Sequence, residues 1–283
     1  MEQVNFGCLS EEHSNLEKAK IVVIPVAYDG TSTWIKGADK GPEAIIKASA
    51  NMELYDIETD SEVYKKGIFT DEAIKSLSFP EEVIEAVTAR VRRYLEQDKF
   101  VVIIGGEHSI SIGCIKVYAK SHRDLTILQL DAHSDLRDEY NGSKYNHACV
   151  MARARELCPI VQVGIRSMDV CEKELLNREN IFFAKDICNK KDWIEEVVSK
   201  LSKRVYITID VDVFDPSIMP STGTPEPGGL LWYETLALLR LVFKEREVVG
   251  FDVVELCPDD RNKAPDFLAA KLIYKLLSYK FGD

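Results

Sequence analysis

Asp131, His133 and Asp135 stand at alternate positions in Asp131-Ala132-His133-Ser134-Asp135, and Asp210-Val211-Asp212 repeats the device further along the chain. Extended backbone sends alternate side chains to one face, so each set aims its donors at one place. Charges left unpaired at the end of a dry strand cost about several kcal/mol each, so something cationic is called for between them. An isolated D-x-D is more often a strand end meeting solvent or a helix cap. A D-x-H-x-D followed by a D-x-D, each behind an apolar run, is not explained that way. His108, after Gly105-Gly106, alone reads as a helix-start residue, but with the aspartates it completes four carboxylates and two imidazoles. The glycines would let the backbone turn sharply and approach neighbouring strand ends. An oxygen-rich set without thiolate suits Mn²⁺ better than a structural zinc site, and four carboxylates balance two divalent ions. Two such ions roughly 3.5–4 Å apart can bridge a water and lower its pKa to near neutrality.

The elements that must position these groups are legible as short apolar runs alternating with segments of helical periodicity. Strands are predicted from Ile21, Phe100, Leu125, Ile160, Val205 and Val248. Pro42, Pro80 and Pro265 each suit the first turn of a helix. This is the pattern of a mostly parallel sheet covered by helices on both faces, an α/β fold. Four of the strands end in acids or histidines: Glu107 and His108, Asp131 and His133, Asp210 and Asp212, and Glu255. Loops at the carboxyl ends of parallel strands form the ligand crevice, so a single site is expected.

With 283 residues and no linker or low-complexity tract, one domain over 1–283 is expected. A formal charge of −11 repels a phosphate backbone or an anionic membrane and favours a cationic substrate, so neither nucleic acid nor membrane is expected as a partner. The seven cysteines are odd in number and never form C-x-x-C; Cys114 and Cys257 in particular read as small buried hydrophobes. No basic, apolar leader opens the chain and no run approaches a membrane span, so the reducing cytosol is the expected compartment.

GGEHSI at Gly105, DAHSDLRDEY at Asp131, KYNHACVMARA at Lys144, VGIRS at Val163, DVDVFDPSIMPSTGTPEPGG at Asp210 and FDVVELCP at Phe251 together resemble the arginase/agmatinase (ureohydrolase) family, agmatinases in particular. The likeness covers nearly the whole chain, from PVAYDGTSTWIKGADKGPEAI onward. VGIRS or GGEHS alone would be weak; DAHSD, DVDVFDPS and FDVVEL in this order are specific. The resemblance implies a three-layer arginase-like fold, two Mn²⁺ per chain, and assembly as a homo-oligomer, a trimer or hexamer. It assigns His108, Asp131, Asp135 and Asp210 to one ion and Asp131, His133, Asp210 and Asp212 to the other. Glu255 would grip the guanidinium, Asp135 would orient the attacking hydroxide, and His147 would move a proton toward the leaving amine. Asp215 and Thr224 would shape the pocket.

The resemblance further implies hydrolysis of agmatine to putrescine and urea, with N1-aminopropylagmatine, guanidinobutyrate or another guanidino compound as alternatives. Arginases usually carry an asparagine where this chain has Arg137, which argues against arginine. A free Arg137 would welcome an anionic tail and repel agmatine's amine, unless Asp138 or Glu139 pairs with it or it points away. A single-zinc deacetylase-like hydrolase and an inactive metal-binding protein are the remaining readings; six intact candidate ligands count against the first, His147 and Glu255 against the second.

Overall fold

The computed structural model describes residues 5–282. Among these residues eight strands form one sheet: β1 (Ile21–Pro25), β2 (Ile68–Thr70), β3 (Phe100–Ile104), β4 (Leu125–Leu130), β5 (Ile160–Ile165), β6 (Ile181–Phe183), β7 (Arg204–Asp210) and β8 (Glu247–Val254). Their order across the sheet is β2-β1-β3-β8-β7-β4-β5-β6, and every neighbouring pair is parallel. All six expected strands are present. The two edge strands, β2 and β6, were not read from the sequence, because three residues are too few to show a period.

Among the described residues, nine α-helices flank the sheet: α1 (Glu11–Ser14), α2 (Gly41–Ser49), α3 (Pro80–Leu95), α4 (Ser111–Ser121), α5 (Val150–Ala154), α6 (Ala184–Ile187), α7 (Trp193–Lys200), α8 (Trp232–Glu245) and α9 (Ala264–Phe281). Pro42, Pro80 and Pro265 lie in the first turns of α2, α3 and α9, where the missing N–H has no partner to lose. Strand residues alternate between two cores. Ile21, Val23, Val102, Ile104, Ile207 and Val253 pack toward α2, α7, α8 and α9. Val22, Ile24, Val101, Ile103, Tyr206 and Val254 pack toward α3, α4 and α5. With both faces covered, the strands are mostly apolar, with a few buried polar residues such as Gln129, Gln162 and Asp252, and each fully buried Val or Ile contributes about 1.5–3 kcal/mol. No helix among the described residues is long and apolar enough to cross a membrane.

Candidate functional site

The four strands expected to end in polar groups are adjacent, in the order β3-β8-β7-β4. Their carboxyl ends open into one cavity of about 270 Å³ lined by His108, His133, Asp135, Asp210, Asp212 and Glu255, with His147 on its wall. Asp131 lies beneath the floor, fully buried.

Two groups of donors share Asp131. His108, Asp131 and Asp135 form one, and Asp131, His133 and Asp212 the other, each with its donor atoms within 4.8 Å of one another. Nδ1 of His108 is 3.1 Å from Asp135 Oδ2, 3.2 Å from Asp131 Oδ2 and 3.6 Å from Asp210 Oδ2. Buried among three carboxylates, it makes no hydrogen bond. His133 Nδ1 is 2.8 Å from Asp212 Oδ2 and 3.7 Å from Asp131 Oδ1. A buried nitrogen without a hydrogen bond, facing oxygens, fits a divalent cation better than a polar network, and this donor set can hold two.

The backbone reaches this arrangement differently from the alternation expected. β4 ends at Leu130 and β7 at Asp210, so neither ligand run is extended. The carboxylates turn the chain themselves, as Asp side chains do in turns. Asp131 Oδ1 accepts from the His133 N–H at 2.6 Å, and Asp210 Oδ1 accepts from the Asp212 N–H at 2.8 Å to cap a 3₁₀ turn at Val211–Val213. Asp212 Oδ1 accepts from the Ala132 N–H at 2.9 Å, tying the two strand ends together. Asp135 and Glu255 have φ of +52° and +67°, the left-handed region that non-glycine residues seldom occupy and that recurs at functional sites. The glycine pair matters for approach rather than for a sharp turn, since neither residue has positive φ. A Cβ on Gly106 would lie 1.9 Å from the Tyr28 carbonyl oxygen.

Crowded acids perturb one another. Burial, then repulsion from Asp131, pushes the Asp135 carboxyl up to about 7. Burial and the neighbouring Asp212 and Asp131 hold Asp210 well above the usual carboxylate range. Burial opposes charge on His133, yet Asp212 and Asp131 outweigh it and push its pKa up to about 12. Burial likewise disfavours the charged form of His108, but Asp131 and Asp135 raise its pKa well above 6.5. Each shift marks acids gathered closer than water alone would permit.

Glu255 accepts from the His108 backbone N–H at 2.7 Å. No lysine or arginine among the described residues pairs with it. Burial first, then Glu107, raises its pKa well above 4.5, so an entering cation is what would stabilise the charged form. His147 opens the 3₁₀ turn before α5; its Nδ1 is 3.1 Å from Thr31 Oγ1, and its backbone N–H donates to the same oxygen at 3.0 Å. Burial, then the charges on His108 and His133, pushes its pKa down to about 4. Arg137 lines the cavity and pairs with neither Asp138 nor Glu139. Its Nη2 is 3.3 Å from Asp169 Oδ2, and its guanidinium stacks 4.4 Å from the Tyr140 ring centre, while Asp138 pairs with Arg153. Thr224 lines the cavity; Asp215 lies outside it, where its carboxylate accepts from the N–H groups of Ser217, Gly228 and Gly229. All seven cysteines are free, and Cys257 is half-buried rather than a core residue.

Several supporting residues had gone unread in the sequence. Gln129 donates to Asp131 Oδ2 at 2.7 Å, and Gln162 donates to Gln129 Oε1 at 2.6 Å. Glu172 accepts from Ser134 Oγ at 2.6 Å and from the Leu136 N–H at 2.8 Å, holding the segment that carries Asp135. Polar side chains inside apolar strands, such as Gln129, Gln162 and Asp252, were the available signal, because burying them without a partner is costly. Thr31 had no such signal; only folding brings it to His147.

A model of the arginase family matches residues 19–278. The N(1)-aminopropylagmatine ureohydrolase of Synechocystis sp. is 38% identical over 281 residues, covering 95% of this chain and 92% of its own. The agmatinase of Pyrococcus horikoshii is 32% identical over 266 residues, covering 93% of each chain. The crystal structure of the agmatine ureohydrolase of Thermoplasma volcanium matches with a TM-score of 0.89 at 31% identity, covering 99% of this chain and 95% of that one. A family match across most of the residues and relatives above 30% identity along nearly their full length place it plainly: the chain belongs to the arginase family.

Proposed function

We propose that the chain is a ureohydrolase that hydrolyses the guanidinium of an agmatine-type substrate, taking N1-aminopropylagmatine in preference to agmatine itself, and releases urea and the amine. The observation that carries this reading is Glu255, a carboxylate 8% exposed at the floor of the cavity, beside both donor groups and without a cationic partner. A planar guanidinium, with a fork of N–H donors, is its natural complement. His108, Asp131, Asp135 and Asp210 would hold one manganese ion, and Asp131, His133, Asp210 and Asp212 the other. Bound there, the ions would supply a water acidified to near neutral pH. Asp135 would accept a hydrogen bond from that water and orient it. His147, anchored through Nδ1 on Thr31, keeps Nε2 for passing a proton to the departing amine.

The preference for the longer substrate is supported by the naming of the Synechocystis relative. Arg137 is engaged by Asp169, so it does not stand free to draw an anionic tail. The cytosol remains the expected compartment, supported by seven free thiols. Trimeric or hexameric assembly remains part of the proposal, supported by exposed Ile57, Tyr233 and Phe267 around an open groove between α8 and α9; light scattering reads it.

A urea-release assay on manganese-loaded protein tests the function. Aminopropylagmatine should give the highest kcat/KM, agmatine the next, and arginine and guanidinobutyrate far less. Arg137→Ala frees Asp169 and should lower KM for the cationic substrates. A preference for guanidinobutyrate or arginine overturns the substrate assignment; absence of urea from every guanidino compound overturns the chemistry.

A further inference from the structure

His108 offers Nδ1 to the candidate ion and turns Nε2 away from the cavity, into the sheet. There Nε2 is 2.9 Å from Thr208 Oγ1. Thr208 Oγ1 donates in turn to Asp252 Oδ1 at 2.6 Å, and Tyr206 donates to Asp252 Oδ2 at 2.7 Å. Thr208 and Asp252 are directly paired across β7 and β8, and Asp252 is fully buried beneath α4 with no lysine or arginine beside it. A buried acid in that position serves no part of the proposed chemistry at the cavity.

A hydroxyl has one proton. Ser111 Oγ, at 3.4 Å, is a poor competitor for it against a carboxylate oxygen at 2.6 Å. Thr208 therefore spends its proton on Asp252 and faces His108 with lone pairs only. Nε2 must then carry the ring hydrogen that fills that contact, and in a neutral imidazole this leaves Nδ1 with its lone pair free.

We propose that Asp252, acting through the Thr208 hydroxyl, is a positioning residue that sets the tautomer and ring orientation of His108 for divalent-cation binding. The relay rests on the metal reading of the His108 cluster. Tyr206 holds the second oxygen of Asp252 in place, and it is itself packed against Tyr118 in a tilted arrangement with ring centres 4.6 Å apart. Asp252→Asn supplies one acceptor for two hydroxyl donors. Where its amide faces Thr208, the threonine proton is released toward Nε2, and the ring hydrogen moves to the nitrogen that faces the carboxylates.

Manganese titration calorimetry on Thr208→Val, Thr208→Ser and Asp252→Asn is the test, with circular dichroism confirming the fold. Supporting partners of metal-ligating histidines typically matter by about 10- to 100-fold in affinity. Thr208→Val and Asp252→Asn should each weaken one of two manganese-binding steps by that factor, and Thr208→Ser should restore it. Unchanged binding in a folded Thr208→Val protein overturns the relay. Equal weakening of both steps in that variant, or failure of serine to rescue, assigns Thr208 to packing and also overturns it. Absence of manganese binding in the unmodified protein removes the metal reading itself, and the relay with it.

Discussion

Glu255 and Asp135 pay a backbone cost for where they stand. A left-handed φ at a non-glycine residue costs about 1–3 kcal/mol and persists only where the surroundings hold it. The His108 N–H on the Glu255 side chain and the Met151 and Ala152 N–H groups on the Asp135 carbonyl are those constraints. Because Glu255 has no competing cation, removing its charge should act on substrate alone. Losing a buried charged partner costs about 2–5 kcal/mol, so Glu255→Gln should lower kcat/KM by about 30- to 5,000-fold with manganese content unchanged. His147→Asn should lower kcat by about 10² to 10⁴ while KM moves little, as for a residue that transfers a proton rather than grips substrate. Steady-state kinetics with elemental analysis checks both, and wild-type kinetics in either variant removes the role given to that residue.

Loops at strand ends are held by a few cross-strand contacts, so their precision depends on how closely the elements approach. Gly106 is where β3 passes the chain leaving β1, with the Glu107 N–H donating to the Tyr28 carbonyl at 2.9 Å and the Glu255 N–H to the Gly106 carbonyl at 2.8 Å. An alanine there must push the Tyr28 carbonyl aside, since no side chain stands between the two to yield. Overpacking of this kind costs about 1–3 kcal/mol or more. Gly106→Ala should lower the urea midpoint accordingly and also weaken manganese binding, because His108 is two residues on. A variant with unaltered unfolding and unaltered metal affinity contradicts the close approach. Arg166 shows why VGIRS alone was weak as a signal. Its guanidinium donates to the Asp212 carbonyl at 2.6 Å and the Glu226 carbonyl at 2.8 Å, so it clamps the loop after β7 and touches no candidate ligand side chain.

Across the molecule, buried acids and histidines tie stability to pH and metal. His133 has a folded pKa raised from 6.5 to about 12, so the stability it contributes is fully present below about pH 6.5 and is lost as pH rises toward 12. Asp135, raised from 3.8 to about 7, acts in the same direction between those values. His147, lowered to about 4, acts oppositely, but only below 6.5. Chelator-treated protein should therefore lose thermal stability from about pH 6.5 to about pH 9. Manganese should raise Tm by a margin that widens over the same range, because fewer protons compete for the ligands. Scanning calorimetry reads both, and a chelated Tm that rises with pH would contradict the clustering. The apolar runs of β1, β3, β4, β5, β7 and β8, the proline-led helices and the acids at four strand ends were all determined by sequence, because local period and composition encode them. Which strands are neighbours was not, since register and order depend on contacts between distant segments. Only the tertiary structure decided that β3, β8, β7 and β4 stand side by side. It also decided that Arg137 turns to Asp169 rather than to its sequence neighbours, and that Thr208 and Asp252 meet behind His108: side chains pair by distance in space, and chain position alone does not set that distance.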